Sequence, residues 1–135
     1  MRITADTNVL VRAAVLDEPA QSRLAVAALL QAEVVAVTLP ALCEFVWVLT
    51  RGYKRKAAEV AAAMRKLAES ESESVLVDRP TLEAGLSVLE RGGDFADGVI
   101  AFEGRRAGGR IFTSFDRDAV ELIGATGGQT RLLSE

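Results

Sequence analysis

Residues 1 to 12 read MRITADTNVLVR. Ile3 and Ala5 lead straight into Asp6-Thr7-Asn8, and a helix-like apolar run from Val9 to Val15 follows at once. A short strand over residues 2 to 6 and a helix over residues 8 to 15, joined without a linker, account for the pattern. Three polar residues then stand at a junction whose two sides both look buried. In an open parallel α/β fold, sites form in the crevice beyond the carboxyl ends of the strands. Asp6 lies at such an end.

The rest of the chain repeats the alternation. Residues 20 to 32 read as a helix with a broad apolar face, and the β-branched VVAVT at 34 to 38 as a buried strand. Pro40 suits the first turn of a helix running to about residue 50, and the alanine-rich stretch from 54 to 68 is helical. A polar loop is expected over residues 69 to 74 and a third strand over 74 to 78. A helix from Pro80 to Gly92-Gly93, a helix over 95 to 107, a strand over 110 to 115 and a short helix over 117 to 123 come next. Gly127-Gly128 turns the chain into a last edge strand near 130 to 133. Strands alternating with helices predict an α/β fold with a mostly parallel central sheet of four to five strands and helices on both faces. With 135 residues, one domain spanning residues 1 to 135 is expected.

Composition narrows the chemistry. Half of the residues are hydrophobic and 26% are charged, which suits a packed core. No stretch reaches the ~18 apolar residues of a membrane span, and the N-terminus lacks a signal pattern, so an intracellular, cytoplasmic protein is expected. The single cysteine, Cys43, forms no internal disulfide and reads as a small core residue. Histidine is absent, which excludes Ser-His-Asp and Cys-His catalysis. Any catalysis then rests on carboxylates, with hard, oxygen-loving cations as helpers. The net charge of −3 argues against nucleic acid only if its distribution is ignored. Arg51, Lys54, Arg55 and Lys56 form one basic cluster; Arg105, Arg106 and Arg110 form another. Each reads either as a solvated helix end or as a grip on a phosphate backbone.

Four carboxylates stand out. Asp6 reads as a helix cap or, if Thr7 caps instead, as a free carboxylate. Glu44 is the only charged residue between positions 34 and 50, with Pro40, Ala41, Trp47 and Val48 at helical spacing. That context places it on an inward face, as a functional group or as one half of a buried ion pair. Asp97, in DFADGVIAF, rides with Ile100 and Ala101 in a first helical turn, where the helix dipole favours its charge. Asp94, three residues earlier, reads as the cap of that helix. Asp116 follows the strand RIFTSF directly, with Ser114 before it, and reads as a cap or as a site carboxylate. Gathered at one rim, such acids repel by roughly 3 kcal/mol per pair at ~5 Å and an effective dielectric of ~20. A divalent cation with oxygen ligands, Mg²⁺ or Mn²⁺, offsets that most simply.

ADTNVLVR, LPALCEFVWVL around Glu44, FADGVIA around Asp97 and TSFDRDA around Asp116, in that order and spacing, resemble a PIN domain, and within that family a VapC-type toxin ribonuclease. The resemblance covers nearly the whole chain. It implies that Asp6, Glu44, Asp97 and Asp116 form an acidic metal site, with Asn8, Ser114 and Asp94 at supporting positions. It implies a Mg²⁺- or Mn²⁺-dependent endoribonuclease that inhibits translation by cutting structured RNA such as a tRNA or rRNA. It also implies a homodimer and a VapB-type antitoxin that blocks the site, with operator DNA bound only through that antitoxin. In such an enzyme Arg51, Lys54, Arg55, Arg105, Arg106 and Arg110 would hold the RNA backbone. Gly98 stands where the family more often has alanine, an exchange expected to loosen the helix start. Trp47 and Met64 are the expected contact residues for self-association.

Two alternatives remain open on the residues. One is a PIN module that binds RNA without cutting it. The other is a phosphoacceptor receiver domain, with Asp78 as the phosphoacceptor at the end of the third strand. A receiver, however, wants paired acids after its first strand, where this chain has Asp6 followed by Thr7.

Overall fold

A computed structural model describes residues 1–69 and 74–134. The expected loop at 69 to 74 therefore lies, for positions 70–73, outside the described residues. Among the described residues, five short strands are interspersed with seven α-helices, a mixed α/β fold. It divides into two compact units, Met1–Asp78 and Arg79–Glu135.

In the first unit, β1 (Arg2–Thr4) leads into α1 (Thr7–Ala14), and α2 (Pro19–Gln31) precedes β2 (Val34–Ala36). Then come α3 (Leu39–Trp47), a π-helical turn (Val48–Gly52), α4 (Ala57–Glu69) and β3 (Val75–Leu76). The strands pair in the order β1-β2-β3, all parallel, with Val35 opposite both Ile3 and Val75. The β-branched β2 takes the middle place, where both edges are hydrogen-bonded, and Val35 and Val37 are buried. Pro19 opens α2, and Pro40 sits in the first turn of α3, whose start is capped by Thr38 accepting from Ala41 N at 3.4 Å.

The expected helix from 40 to 50 is an α-helix to Trp47 only. It widens into the π turn, closed by Tyr53 N donating to Val48 O at 3.0 Å. Lys54 takes a left-handed backbone (φ 56), so the next helix starts at Ala57 rather than at 54. Met64, expected as a contact residue, is 1% exposed and belongs to the core with Val60 and Ala61. Trp47 is 63% exposed.

In the second unit, α5 (Arg79–Glu90) ends at a left-handed Gly92, and α6 (Phe95–Arg106) follows. β4 (Ile111–Ser114), α7 (Arg117–Ala125) and β5 (Gln129–Leu132) complete it, β4 and β5 pairing in parallel. The strands thus form two ladders, of three and two, where one central sheet was expected. Leu82, Leu86, Leu89, Phe95, Val99 and Ile123 are buried. The seam between α5 and α6 is tight. A Cβ built on Gly98 would meet Ala84 O at 2.5 Å and Gly85 Cα at 2.8 Å. Gly98 therefore does not loosen its helix. It is the residue that lets α6 lie against the backbone of α5.

Candidate active site

In the first unit the ladder runs past β1: Ala5, buried, donates its N–H to Ala36 O at 3.0 Å. This places Asp6 just beyond the strand's carboxyl end, at the cap position of α1, with φ −73 and ψ 158. Its main-chain oxygen accepts from Val9 N and Leu10 N, but its side chain makes no capping hydrogen bond. Thr7 does not replace it as cap. Thr7 is buried, and its hydroxyl donates to Glu44 Oε2 at 2.8 Å. Glu44 is exposed. The apolar neighbours that suggested an inward face mislead, because Pro40 and Trp47 are themselves exposed and share a stripe with Glu44 at i, i+4 and i+7. Asn8 is exposed and lines a groove of about 630 Å³ with Arg12, Leu24 and Ala28.

In the second unit Asp94 caps α6, accepting from Ala96 N at 2.9 Å. Asp116 caps α7, its Oδ1 accepting from Asp118 N at 3.0 Å and Ala119 N at 3.2 Å. Ser114 Oγ accepts from Asp116 N at 2.9 Å, which fixes the strand-to-helix corner. Asp97 follows one turn into α6 and is half-buried. Partial burial, then the charges of Asp94 and Asp116, push its carboxyl pKa above the ordinary value. The three acids are thus within electrostatic reach of one another. Among the described residues no lysine or arginine forms an ion pair with any of them.

The family model for the PIN domain matches residues 3–124. The chain belongs to the PIN domain family. A comparison with curated proteins returns no match. PIN domains are generally nucleases and generally bind divalent metals. Membership removes the receiver-domain alternative.

Do the residues of this PIN domain fit a divalent cation? Among the described residues, no three potential ligand side chains stand close enough to form a ready-made cation cage. The donor chemistry nevertheless fits. Asp94, Asp97 and Asp116 offer hard oxygen donors, Asp94 and Asp116 each repel the charge of Asp97, and among the described residues no basic side chain forms an ion pair with any of the three. Asp116 spends Oδ1 on its cap and Asp94 spends its Oδ1 likewise, which leaves the second oxygen of each outside those bonds.

The basic residues divide by how they are engaged. Arg51, Lys54, Arg55 and Lys56 are exposed on and after the π turn. A network that the sequence did not reveal ties this segment down. Arg12 donates to Asp17 Oδ1 and to the Tyr53 hydroxyl, both at 2.9 Å, and that hydroxyl donates to Asp17 Oδ2 at 3.1 Å. In the second unit Arg106 donates to the Thr81 hydroxyl at 3.1 Å and lies over the Phe102 ring at 5.5 Å. Arg105 lines a cavity of about 180 Å³ with Ser87 and Thr126, and Arg110 is exposed. Arg106 is exposed and is engaged by these two contacts within its own unit. Thr7 and Tyr53 had no sequence signal, since their partners lie 37 and more than 30 positions away. Among the described residues, no helix is long and apolar enough to cross a membrane.

Proposed function

We propose that this PIN domain, residues 1 to 135, is a Mg²⁺- or Mn²⁺-dependent endoribonuclease. In this reading it is the toxin of a VapBC-type pair, acting in the cytoplasm on structured RNA such as tRNA or rRNA and inhibiting translation. The observation that carries it is the acid group of the second unit, Asp94, Asp97 and Asp116, with which no basic side chain forms an ion pair among the described residues; burial first, then Asp94 and Asp116, raises the pKa of Asp97. The donor set proposed is that of the family resemblance: Asp6, Glu44, Asp97 and Asp116, with Asn8, Ser114 and Asp94 in support.

When bound, the cation supplies Lewis acidity toward the phosphodiester and lowers the pKa of water. The chain's own groups do the rest. Asp6, spared from capping, keeps both oxygens available. The Thr7 hydroxyl holds Glu44 by Oε2 and limits its rotation. The α7 amides hold Asp116 by Oδ1, and Ser114 fixes the corner on which it stands. With no histidine in the chain, proton handling falls to carboxylates. The exposed Arg51, Lys54, Arg55, Arg105, Arg106 and Arg110 are the proposed phosphate contacts. Trp47 is the remaining candidate for a homodimer contact. A VapB-type antitoxin is the proposed inhibitor, and operator DNA is bound only through it.

The test is cleavage of total RNA by the purified chain with Mg²⁺ or Mn²⁺ and with EDTA, followed by sequencing of RNA ends from cells expressing it. Discrete new ends that require the cation are expected. RNA binding without cleavage under every cation condition would assign the chain to the non-catalytic alternative.

A further inference from the structure

Phe115 is 78% exposed, although it is a large aromatic at the end of a strand. It contributes nothing to the core of its unit. It stands between Ser114 and Asp116, next to the acid group. Its backbone is held on both sides. Ser114 O accepts from Leu133 N at 2.8 Å, Ser114 Oγ accepts from Asp116 N, and Asp116 is locked to the start of α7. One turn past Asp97 on α6, Ile100 is also exposed, at 59%. Asp116 and Asp97 thus each have an exposed apolar side chain close by in sequence, Phe115 one residue before and Ile100 three residues after.

From this we infer that Phe115 is a substrate-positioning residue: its ring stacks on a base of a single-stranded RNA segment and seats the adjoining phosphate at the acid group. This rests on the nuclease reading and deepens it. A protein partner fits less well. Burying Phe115 in an apolar pocket would also strip water from Asp116, and from Asp94 and Asp97 nearby, none of which forms an ion pair with a basic side chain among the described residues. A stacked base covers only the ring face and leaves its own polar edges, and the carboxylates, in water. Stacking is also sequence-tolerant, since every base has a π-face. A ring with only two side-chain torsions on a fixed backbone loses little entropy when it is covered. Ile100 then supplies an apolar contact beside the next sugar or base.

The test separates binding from cleavage. A fluorescent 2′-O-methyl RNA oligonucleotide, verified on a gel to stay intact through the titration, is titrated in fixed Mg²⁺ and salt with the wild type, Phe115→Ala and Phe115→Trp. Phe115→Ala is expected to weaken binding by about 5- to 100-fold, the value of one stacked base. Phe115→Trp is expected to restore it. Trp47 is the chain's only tryptophan, so in a Trp47→Phe background the Phe115→Trp fluorescence reports on that position alone. Quenching on RNA binding is expected. Wild-type affinity in Phe115→Ala, or no quenching, overturns the inference. So does a Phe115→Ala variant that changes only the oligomeric mass, which would assign the ring to a contact between copies. If Phe115→Ala binds normally while the wild type still cuts RNA, stacking fails and the nuclease reading stands. Phe115-dependent binding by a chain that cuts nothing is the reverse case. A wild type that neither binds nor cuts sinks both.

Discussion

Asp6 and Asp116 hold like positions, each at the start of a helix that follows a parallel strand, yet they do different things. Asp116, with ψ 108, turns one oxygen onto two amides of α7. Asp6, with ψ 158, makes no such bond. The units also fix their acid-bearing helices by different means. In the first, a buried hydroxyl ties α1 to α3 through Thr7 and Glu44. In the second, a glycine lets α6 press on the backbone of α5. A carboxylate at a helix start is thus not one kind of object. Asp116 is spent on its own helix and Asp6 is not, although backbone torsion alone does not decide it, since Thr38 caps α3 at ψ 155.

The largest effects should come from removing the proposed donors. Asp97→Asn and Asp116→Asn, and likewise Asp6→Asn and Glu44→Gln, should each lower RNA cleavage by about 100-fold or more, comparable to losing one preorganised electrostatic group. Circular dichroism should show each fold intact. Full activity in Asp6→Asn, with loss in Asp97→Asn and Asp116→Asn, would confine the site to the second unit and break the four-carboxylate set.

Gly98→Ala tests how α6 is seated. Helix propensity alone favours alanine by about 1 kcal/mol. The added methyl, however, would meet the carbonyl oxygen of Ala84 and the Cα of Gly85, which are backbone atoms that cannot step aside. Overpacking of this kind costs about 1–3 kcal/mol, and contact with backbone puts this case at the top of that range, so after the propensity gain a net loss of about 2 kcal/mol is expected in urea unfolding. A stabilised variant would show that the two helices can separate freely. Thr7→Val probes the corresponding joint in the first unit. It should cost about 1 kcal/mol, because Glu44 is exposed and regains water in place of the lost hydroxyl, while Thr7→Ser should cost less. Equal costs for Gly98→Ala and Thr7→Val would remove the contrast between a steric seat and a polar one.

Much of this was legible in the sequence. VVAVT announced a buried strand through its β-branched residues, and Pro40 and Pro80 each marked a helix start. The capping roles of Asp94 and Asp116 followed from residue type and position. What stayed hidden depended on partners distant in sequence or on fine backbone geometry. Glu44 looked inward because prolines and tryptophans count as apolar, but here they lie on the exposed stripe. Met64 looked available because an alanine-rich helix does not show which of its faces is covered. Gly98 looked like a weak point because its value lies in Ala84 and Gly85, on another helix. The π turn and the left-handed Lys54 left no composition signal at all. The grouping of Asp6 and Glu44 with Asp97 and Asp116 in one donor set is a proposal drawn from the ordered motifs that resemble the family.

Alanine substitutions at the caps should give a smaller, opposed pair of results. Asp94→Ala loses a real cap and should cost about 1 kcal/mol, whereas Asp94→Asn keeps the cap and relieves Asp97. Asp6→Ala should change stability by no more than about 0.5 kcal/mol, as for a surface site without a special feature. A cost at Asp6 matching that at Asp94 would mean that its carboxylate caps α1 in solution.

The smallest effect concerns Asp97 and pH. Its carboxyl pKa in the folded chain lies above the ordinary 3.8, chiefly through burial and then through Asp94 and Asp116. Between those two values the folded chain binds the proton more tightly than the unfolded chain does. The contribution to stability is therefore fully present below pH 3.8 and is lost as pH rises through the folded pKa. At neutral pH, without a cation, the fold carries the cost of an ionised Asp97. Asp97→Asn, which resembles the protonated acid in shape, removes that cost. In urea unfolding with EDTA, the variant should match the wild type at low pH and gain on it as pH rises, levelling off above the folded pKa. Added Mg²⁺ should reverse the order, because a ligand that binds only the folded chain stabilises it in proportion to occupancy. Asparagine would forfeit most of that gain. A stability difference that does not change with pH would mean that Asp97 pays nothing for its place. The reversal by Mg²⁺ failing, with the pH trend intact, would mean that the acids of the second unit repel one another and yet bind no cation.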